Sequence, residues 1–482
     1  MVEKVLQYID GKFVEGNGPV YDDINPATEE IITKVNFASK EQANEAVDAA
    51  FEAQKKWEKL PAIDRARYVQ KVAQKIRERA PDLARLISLD MGKPLKEAID
   101  EVNAIPEYLD YMAGFARRIE GEIIESDRPN ENILLYYEPM GVVVGIIPWN
   151  YPLFVWARKF APALVAGDSV VIKPAEDTPL IINEMSKIID EVGIPGGVVN
   201  HVFGYGPEVG TELVKNKKVS MVSFTGSVET GSTIMKIAAD NITKVSLELG
   251  GKAPTIVMDD ADLEKTANYV AASRLLNAGQ VCNAAERLYL HEKIAERFLS
   301  LLKQKFEQVK LGNPLEESTT MGPLVNRDQL EKVTTLTQRA LESGAKPLMG
   351  AKPTKVNGKG YYYLPTILVN VTNDMEIFRK EIFGPVEPVV TFKDLNEAIE
   401  MANDNEYGLT SSIFTQNLDT AMKAINSLKY GETYVNREHF EAIQGFHAGW
   451  RKSGIGGDDG KHGFYEFLKT HIVYLQYDLG KK

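Results

Sequence analysis

The chain begins with two patterns of apolar residues that predict different secondary structures. Residues 5–35 alternate apolar and polar side chains around turn sequences such as Asp10-Gly11, a pattern typical of short antiparallel strands. From residue 39 to about residue 120, apolar side chains recur every three or four positions, which predicts helices. We expect Pro61 and Pro81 in the first turns of these helices, where proline is tolerated.

After about residue 133, short apolar runs alternate with helical patterns. We predict strands over residues 141–147, 169–172, 198–203, 221–224 and 253–258, and helices over residues 179–192, 206–216 and 263–277. Repeated strand–helix–strand units predict an α/β fold with parallel, doubly wound sheets, and the length fits two such units. Further strands are predicted from residue 361 and over residues 470–477. The second of these strands follows the last predicted helix, which indicates that it pairs with a strand outside its own domain.

Composition narrows the class of protein. A chain of 482 residues is too long for one hydrophobic core, so two or three domains are expected. Apolar residues make up 44% of the chain, as in a soluble globular protein. The net charge of −12 argues against nucleic acid as a partner, because phosphate backbones are bound by clustered Lys and Arg.

The sequence predicts neither an export signal nor a membrane span. The N-terminus lacks a basic flank leading into an apolar stretch. Residues 140–157 carry no charged side chain, and a run of this length is a marginal candidate for a membrane span. Pro148 and Pro152 would break a spanning helix there, so we predict a buried strand followed by a loop. Together with a single cysteine, these features predict a cytoplasmic protein.

The single cysteine, Cys282, is the first candidate for chemistry. It cannot form an internal disulfide, and one sulfur makes a poor metal site. It is either a small buried apolar residue or a nucleophile activated by its surroundings. The six histidines show no ligand spacing near paired cysteines, so no metal is expected.

Two glycine-rich segments and one acidic residue are further candidates. The segments 204–210 and 224–231 each follow a predicted strand and open a helix, where backbone N–H groups can approach a pyrophosphate. Glu248 lies between two leucines at the end of an apolar run, which suits a poorly solvated general base. The alternative for Glu248 is a solvated position on a short strand.

Six motifs in order resemble those of the aldehyde dehydrogenase superfamily, and the similarity extends over essentially the whole chain. They are Pro148-Trp149-Asn150, Lys173-Pro174-Ala175-Glu176, Phe224-Thr225-Gly226-Ser227, Glu248-Leu249-Gly250-Gly251-Lys252, Gly279-Gln280-Val281-Cys282 and Glu381-Ile382-Phe383-Gly384-Pro385.

The resemblance implies catalytic roles for four residues. Cys282 would attack the aldehyde carbon to give a thiohemiacetal. Asn150 and the backbone N–H of Cys282 would stabilise the oxyanion. Glu248 would activate the water that hydrolyses the thioacyl enzyme, and Lys159 would lie beside the oxyanion site.

The resemblance also implies a binding site for NAD, with NADP as the alternative. Lys173 and Glu176 would hold the adenosine ribose, Ser227 the pyrophosphate, and Glu381 and Phe383 the nicotinamide ribose and ring. A carboxylate at Glu176 favours NAD because it would repel a 2′-phosphate. The other predicted cofactor contacts are Ile147, Pro148, Trp149, Gly206, Gly210, Phe224, Thr225, Gly226, Thr230 and Leu249.

Four residues are predicted to contact the substrate. Arg158 occupies a position where many relatives place an aromatic wall, which implies a polar or anionic aldehyde unless the guanidinium is folded into an ion pair. Asn283, Glu441 and His447 offer groups that could hold hydroxyls. Residues 431–457 resemble the members that act on lactaldehyde and glycolaldehyde, so we predict a small hydroxyaldehyde such as these or glyceraldehyde.

Two other functions stay open at this stage. An enzyme for succinate semialdehyde would use Arg158 to bind a carboxylate, although Glu441 argues against it. A non-enzymatic binding protein on the same scaffold would be expected to lack one of the catalytic residues, and all are present.

The resemblance further predicts a three-part organisation and a homo-oligomer, either a dimer or a tetramer. A Rossmann-like NAD-binding domain would comprise residues 1–117 and 138–248, with residues 446–469 packing back on it. Residues 249–445 would form an α/β catalytic domain. Residues 118–137 and 470–482 would form a small β oligomerisation arm.

Overall fold

The structure is a computed structural model, and it describes residues 4–479. The outermost parts of the predicted NAD-binding domain and arm, residues 1–3 and 480–482, lie outside the described residues. Within residues 4–479, no helix is both long enough and apolar enough to cross a bilayer.

The first part of the chain contains two β-hairpins, three long helices and a strand pair. Its helices carry continuous buried faces, as their apolar spacing predicts. The elements are β1 (Gln7–Ile9), β2 (Lys12–Val14), β3 (Val20–Ile24), β4 (Ile31–Asn36), α1 (Lys40–Trp57), α2 (Ala62–Met91), α3 (Leu95–Ala113), β5 (Glu122–Glu125) and β6 (Glu131–Pro139).

One expectation for these helices is wrong. Pro61 directly precedes α2, as expected, but Pro81 lies in the middle of its 30 residues rather than in a first turn. Proline removes one backbone donor and crowds the preceding turn. The helix nevertheless continues because the side chains on both sides of Pro81, such as Ile76 and Leu83, are fully buried in the same core.

The second part alternates strands and helices. Its strands are almost entirely buried, which is typical of a sheet covered on both faces. The elements are β7 (Val142–Ile146), α4 (Pro152–Ala166), β8 (Ser169–Lys173), α5 (Pro179–Val192), β9 (Val199–His201), α6 (Thr211–Lys215), β10 (Val219–Gly226), α7 (Val228–Ala238) and β11 (Lys244–Leu249). The predicted helix over residues 206–216 begins with a π-helical turn, Gly206–Gly210, before α6.

The third part repeats the strand–helix alternation, and its last strands pair with strands of the first two parts. Its elements are β12 (Ala253–Val257), α8 (Leu263–Leu275), β13 (Ala285–His291), α9 (Ala295–Glu307), α10 (Arg327–Glu342), β14 (Lys346–Met349), β15 (Pro353–Val356), β16 (Lys359–Tyr363), β17 (Thr366–Val369), α11 (Glu376–Arg379), β18 (Val386–Phe392), α12 (Leu395–Asn403), β19 (Thr410–Phe414), α13 (Leu418–Ser427), β20 (Glu432–Val435), β21 (Gly454–Ile455), α14 (Gly460–Tyr465) and β22 (Leu468–Gln476).

Two large sheets organise these elements. The first has the order β2-β1-β9-β8-β7-β10-β11-β21, and its five strands from β9 to β11 are parallel. Helices α1, α6 and α7 cover one face, while α4 and α5 cover the other. The second has the order β14-β17-β18-β13-β12-β19-β20 and is parallel except for β14. The predicted α/β class with parallel, doubly wound sheets is therefore confirmed.

A small sheet projects from this body. It has the order β22-β6-β5, and β22 pairs antiparallel with β6 over nine residues, from Leu468–Pro139 to Gln476–Glu131. Several large apolar side chains on it are exposed, among them Ile123, Tyr136 and Tyr474. The sheet corresponds to the predicted arm, whose role in assembly stays a prediction.

Candidate active site

Cys282 lies between the two large sheets, just before β13. The preceding turn (Leu276–Gly279) places Asn277 and Ala278 in the left-handed region of backbone space, with φ of 49° and 54°. Gly279 has φ of 77°, and a Cβ there would lie 2.3 Å from the carbonyl oxygen of Gly384. This tight turn brings the thiol to the carboxyl end of β11 in the first sheet.

Hydrogen bonds hold the turn in this conformation. The Gln280 side chain donates to Asn277 O at 2.9 Å and accepts from Val325 N–H at 2.9 Å. Asn277 Nδ2 donates to Asn150 O at 3.2 Å, and Asn150 Nδ2 donates to Gln280 O at 3.0 Å. The segment before α4 and the cysteine loop are thereby joined, and Asn150 lies beside the nucleophile.

Glu248 and His447 converge on the thiol. The donor atoms of Glu248, Cys282 and His447 lie within 4.8 Å of one another. His447 Nε2 is 3.9 Å from Cys282 Sγ and 3.3 Å from Glu248 Oε1. Glu248 Oε1 accepts no hydrogen bond from the described residues, so the 3.3 Å approach is an electrostatic contact rather than a hydrogen bond. Because such a sulfur–nitrogen–oxygen set could accommodate a cation, the expected absence of a metal stays a prediction.

The surroundings of Cys282 disfavour a free thiolate. Burial and the charge of Glu248 raise the pKa of the Cys282 thiol to about 12, while His447 acts in the opposite direction. His447 itself is buried, and burial alone would lower its pKa. The carboxylates of Glu432 and Glu441 outweigh burial and hold the pKa of His447 well above its usual value. The neighbouring carboxylates therefore favour the protonated form of the imidazole beside the nucleophile.

His447 is fully buried and does not line the cavity, so its predicted contact with the substrate stays a prediction. Its side chain is fully buried behind the thiol, and Nδ1 lies 2.5 Å from Glu432 Oε1. Glu432, on β20, was not among the residues predicted from sequence. Nothing in its local sequence distinguishes it from other acidic strand residues.

Arg158 lines the cavity, but its charge is already compensated by the chain. Its Nε donates to Asp459 Oδ1 at 2.9 Å, and Nη2 donates to Glu441 Oε1 at 3.0 Å and to Asp459 Oδ2. The guanidinium also lies 4.8 Å from the centre of the Phe154 ring. These contacts match the ion-pair alternative considered from the sequence, and the predicted contact of Arg158 with the substrate stays a prediction.

Lys159 is also buried in an ion pair. Its Nζ donates to both oxygens of Asp458, at 2.7 and 3.0 Å, and does not line the cavity. Asp458 and Asp459 were missed by the sequence analysis. Two adjacent acids enclosed by Gly457 and Gly460 are the local signal that could have suggested a buried role.

One cavity of about 570 Å³ joins the predicted cofactor and substrate residues. Asn150, Glu248 and Cys282 lie between its two halves. The cofactor half is lined by Pro148, Trp149, Thr225, Gly226, Ser227, Gly250, Gln329, Lys332, Glu381 and Phe383. The substrate half is lined by Glu97, Asp100, Glu101, Ala104, Tyr151, Phe154, Arg158, Asn283, Phe440, Glu441, Ile443 and Asp459.

The cofactor half has features that fit a dinucleotide. Ser227 caps α7, accepting a hydrogen bond from Thr230 N–H at 3.2 Å, so the positive end of this helix faces the cavity beside Gly226. Glu381 Oε1 accepts from Gly251 N–H at 2.8 Å, and burial raises the pKa of Glu381 to about 7. The Phe383 ring meets the Trp149 ring edge-on at 5.5 Å.

Other predicted cofactor residues form a separate cluster. Glu176 Oε1 accepts from Gly206 N–H at 2.7 Å and from Lys173 Nζ at 3.3 Å, and Gly210 lies against the Lys173 stem. These residues do not line the cavity. Ile147, Phe224 and Leu249 are buried packing residues at the ends of β7, β10 and β11, and Leu249 fills the space opposite Gly231.

The substrate half combines acidic and apolar side chains, and its α3 face was missed by the sequence analysis. Glu97, Asp100, Glu101 and Ala104 lie at helical spacing on one face of α3, a signal that the sequence does carry. Burial raises the pKa of Glu97 to about 7, although Glu97 accepts a hydrogen bond from Asn277 N–H at 2.8 Å. Asn283 Nδ2 donates to Glu441 Oε2. The predicted substrate residues Arg158, Asn283 and Glu441 thus form one connected cluster.

Comparison with known proteins agrees with this geometry. The model of the aldehyde dehydrogenase family matches residues 13–473. Lactaldehyde dehydrogenase of Escherichia coli (strain K12) is 55% identical over 471 residues, which cover 97% of this chain and 98% of that protein. Its crystal structure matches with a TM-score of 0.97, covering 98% of this chain and 99% of that chain.

Two relatives with lower sequence identity are named for other aldehydes. D-glyceraldehyde dehydrogenase (NADP(+)) of Picrophilus torridus is 38% identical over 477 residues, covering 98% of this chain and 96% of that protein. The structure of betaine aldehyde dehydrogenase from Staphylococcus aureus in complex with NAD+ matches with a TM-score of 0.96 at 38% identity, covering 98% of this chain and 95% of that chain.

Proposed function

The chain belongs to the aldehyde dehydrogenase family, and on that premise we propose that it oxidises a small, uncharged hydroxyaldehyde to its carboxylic acid with NAD. Lactaldehyde, glycolaldehyde and glyceraldehyde are the substrates that fit the proposal. The observation that carries it is the single cavity in which Asn150, Glu248 and Cys282 separate a dinucleotide-like half from a polar half. The resemblance drawn from six sequence motifs is confirmed by the family match.

The first chemical step is proposed for Cys282 and Asn150. The thiolate attacks the aldehyde carbon, and the carbonyl electron pair moves to the oxygen, giving a thiohemiacetal. The Asn150 side-chain amide, held beside the thiol through Gln280 O, donates to that oxyanion. A donor placed where charge develops contributes about 3 kcal/mol to the transition state.

NAD, when bound, accepts the hydride that leaves the thiohemiacetal carbon. The proposed contacts are Ser227 and the α7 N-terminus for the pyrophosphate, Glu381 for a ribose, and Trp149 and Phe383 for the ring. Glu176 and its neighbour Lys173 are proposed for the adenosine ribose. The carboxylate of Glu176 supports NAD over NADP, with NADP retained as the alternative cofactor.

Glu248 is proposed to complete the reaction. Once the thioacyl group has formed on Cys282, the Glu248 carboxylate takes a proton from a water molecule. The resulting hydroxide attacks the thioacyl carbon, and the thiolate leaves. Oε1 of Glu248 is buried near Sγ and accepts no hydrogen bond from the described residues, which supports this role because it remains free to accept one from a water molecule.

The charge of the substrate half supports a neutral aldehyde. Its lining contains the acidic residues Glu97, Asp100, Glu101, Glu441 and Asp459. Glu101 is paired with Lys93, and Glu441 and Asp459 are paired with Arg158, so the cation in this lining has no charge left for a substrate carboxylate. A succinate semialdehyde carboxylate would enter without a free counter-charge, which is costly in a buried site. A hydroxyl group can instead exchange hydrogen bonds with Asn283 and Glu441.

Initial rates test this proposal. Purified protein is assayed with lactaldehyde, glycolaldehyde, glyceraldehyde, succinate semialdehyde and hexanal, each with NAD and with NADP. Higher kcat/KM for the short hydroxyaldehydes with NAD supports the proposal, and a preference for succinate semialdehyde or hexanal contradicts the substrate assignment. Cys282→Ala is expected to abolish turnover while cofactor binding persists, and turnover by that variant contradicts the mechanism.

We also propose the three-part organisation predicted from the sequence. The first sheet would carry the NAD-binding domain, with residues 446–469 returning to it through β21, and the second sheet would carry the catalytic domain. The exposed apolar side chains of Ile123 and Tyr474 support the β22-β6-β5 sheet as a homo-oligomer contact, in a dimer or a tetramer. A cytoplasmic location, without membrane or nucleic-acid partners, is the matching proposal for a chain with one free thiol.

A further inference from the structure

The side chain of His447 occupies a position with no role in the proposed reaction so far. It is fully buried, yet its ring lies between the nucleophile and the general base, with Nε2 3.9 Å from Cys282 Sγ and 3.3 Å from Glu248 Oε1. It does not line the cavity. Its other nitrogen, Nδ1, is engaged by Glu432 at 2.5 Å.

We propose that His447 is a catalytic residue whose imidazolium stabilises the Cys282 thiolate as an ion pair, and that Glu432 positions the ring and keeps it protonated. The inference rests on the proposed function, in which Cys282 is the nucleophile. A cysteine–histidine–carboxylate arrangement of this kind lowers the cost of forming a thiolate in a buried site.

The arrangement of charge around the ring supports a cation at this position. Four carboxylates act on it: Glu432 from β20, Glu248 from β11, Glu441 from the loop before β21, and Asp459 from the segment before α14. Arg158, which also lies in this group of charges, is paired with Asp459 and Glu441. A buried carboxylate without a counter-ion is costly, so a charged imidazole in the midst of these acids stabilises them as well.

Thiolate formation then follows a balanced proton transfer. The S–H bond of Cys282 breaks, and the proton passes through one bridging water molecule to the carboxylate of Glu248, whose oxygen lies within 4.8 Å of Sγ. The electron pair stays on sulfur, where the Nε2–H of His447 faces it. Glu248 must release this proton to solvent before it can take a proton from the water that hydrolyses the thioacyl enzyme. His447 therefore stabilises the thiolate in the first step, and its contact with the Glu248 carboxylate is restored in the later one.

The presence of one cysteine in the chain makes the inference directly measurable. Iodoacetamide alkylates thiolates, so its rate constant, measured by mass spectrometry between about pH 5 and pH 9, reports on Cys282 alone. The assay contains a chelator, so that no bound cation masks the thiol, and neither aldehyde nor NAD is present. A failure of the proposed function, shown by turnover in Cys282→Ala, is therefore distinguishable from a failure of this inference.

The key comparison is between the unsubstituted protein and His447→Gln, which keeps a polar side chain and removes the charge. Because burial and Glu248 disfavour the thiolate, we expect the alkylation rate to rise with pH in both proteins and to be higher in the unsubstituted protein at each pH. In His447→Gln the rate near pH 6 is expected to fall by about tenfold or more, since each unit of thiol pKa changes the thiolate fraction tenfold. His462→Gln, the same substitution at an exposed histidine, is the matched control and should leave the profile unchanged.

A purely structural role predicts a different result. If His447 serves only as the hydrogen-bond partner of Glu432, His447→Gln lowers the melting temperature but leaves the pH profile of alkylation superimposed on that of the unsubstituted protein. That result overturns the inference. Glu432→Gln is the second variant, and it should also reduce the rate at low pH by lowering the charge on the ring. If His447→Gln does not fold, as judged by NAD binding, an unchanged profile in Glu432→Gln overturns the inference by itself.

Discussion

The guanidinium of Arg158 and the carboxylate of Asp459 form a buried, two-point ion pair in the wall of the cavity. The side chains are 4% and 0% exposed, and they are separated by 301 residues in the sequence. The pair joins α4 to the segment immediately before α14. It therefore links the wall of the substrate half to the C-terminal part of the chain.

Removal of Arg158 is expected to destabilise the protein strongly. Arg158→Met leaves Asp459 and Glu441 buried without their shared counter-ion, which costs about 3–5 kcal/mol. Denaturant unfolding of the variant, compared with Arg158→Met/Asp459→Asn, measures this effect. The double variant should regain part of the loss because one unpaired charge is removed, and equal stability of the two variants would contradict the electrostatic explanation.

Loss of the Asn150 amide is expected to slow the chemical step rather than binding. Asn150→Ala removes the proposed oxyanion donor and should lower kcat by about 10²–10³, while the KM for NAD changes little. Steady-state kinetics with glycolaldehyde measures both quantities. Because Asn150 also anchors Gln280 O, the rate of Cys282 alkylation serves as the control for a displaced nucleophile.

The Glu176 carboxylate is expected to set the preference between the two nicotinamide cofactors. Glu176→Gln retains an acceptor for Gly206 N–H but removes the negative charge that would repel a 2′-phosphate. The ratio of kcat/KM for NADP to that for NAD should rise about tenfold, equivalent to about 1.4 kcal/mol. An unchanged ratio would mean that Glu176 does not meet the ribose.

Glu387 is expected to make stability fall as the pH rises. Its carboxyl group is completely buried without a hydrogen-bond partner among the described residues, and burial raises its pKa from 4.5 to about 8. A raised pKa means that the folded state holds the proton more tightly than the unfolded state. The stabilisation is complete below about pH 4.5 and is lost as the pH rises through about 8.

Glu387→Gln should remove this part of the pH dependence. The variant mimics the protonated carboxyl, so its stability relative to the unsubstituted protein should be higher at pH 9 than at pH 5, by on the order of 4 kcal/mol. Thermal melts at the two pH values measure the difference. Glu400→Gln, at an exposed position of α12, is the matched control, and a similar pH trend in that variant would rule out Glu387 as the cause.

The large-scale architecture could be predicted because its signals are local. The strand–helix alternation from β7 onward follows directly from apolar runs and glycine turns, and helix α5 (Pro179–Val192) begins and ends where its pattern indicates. Pro81 shows the limit of such local rules. Its tolerance inside α2 depends on tertiary packing on both sides of the residue, which no local pattern reports.

The candidate site was predictable in its members but not in their pairings. Cys282, Glu248 and Asn150 lie together as their motifs indicate. The partners of Arg158 and His447 are Asp459 and Glu432, and the first of these pairings spans some 300 positions, so no spacing rule could connect them. Side-chain function here depends on which charges are compensated, and that information exists only in three dimensions.

The late position of the residues that surround the thiol has a consequence for synthesis of the protein. Glu432, Glu441, His447, Asp458 and Asp459 all follow the strands that build most of both sheets, and β21 reaches Glu248 only near the end of the chain. Because domains fold as the chain emerges from the ribosome, both sheets can assemble while the thiol still lacks its charged neighbours. The active site is therefore completed last, when translation is almost finished, and a nascent chain carries the cysteine without its assembled catalytic neighbours.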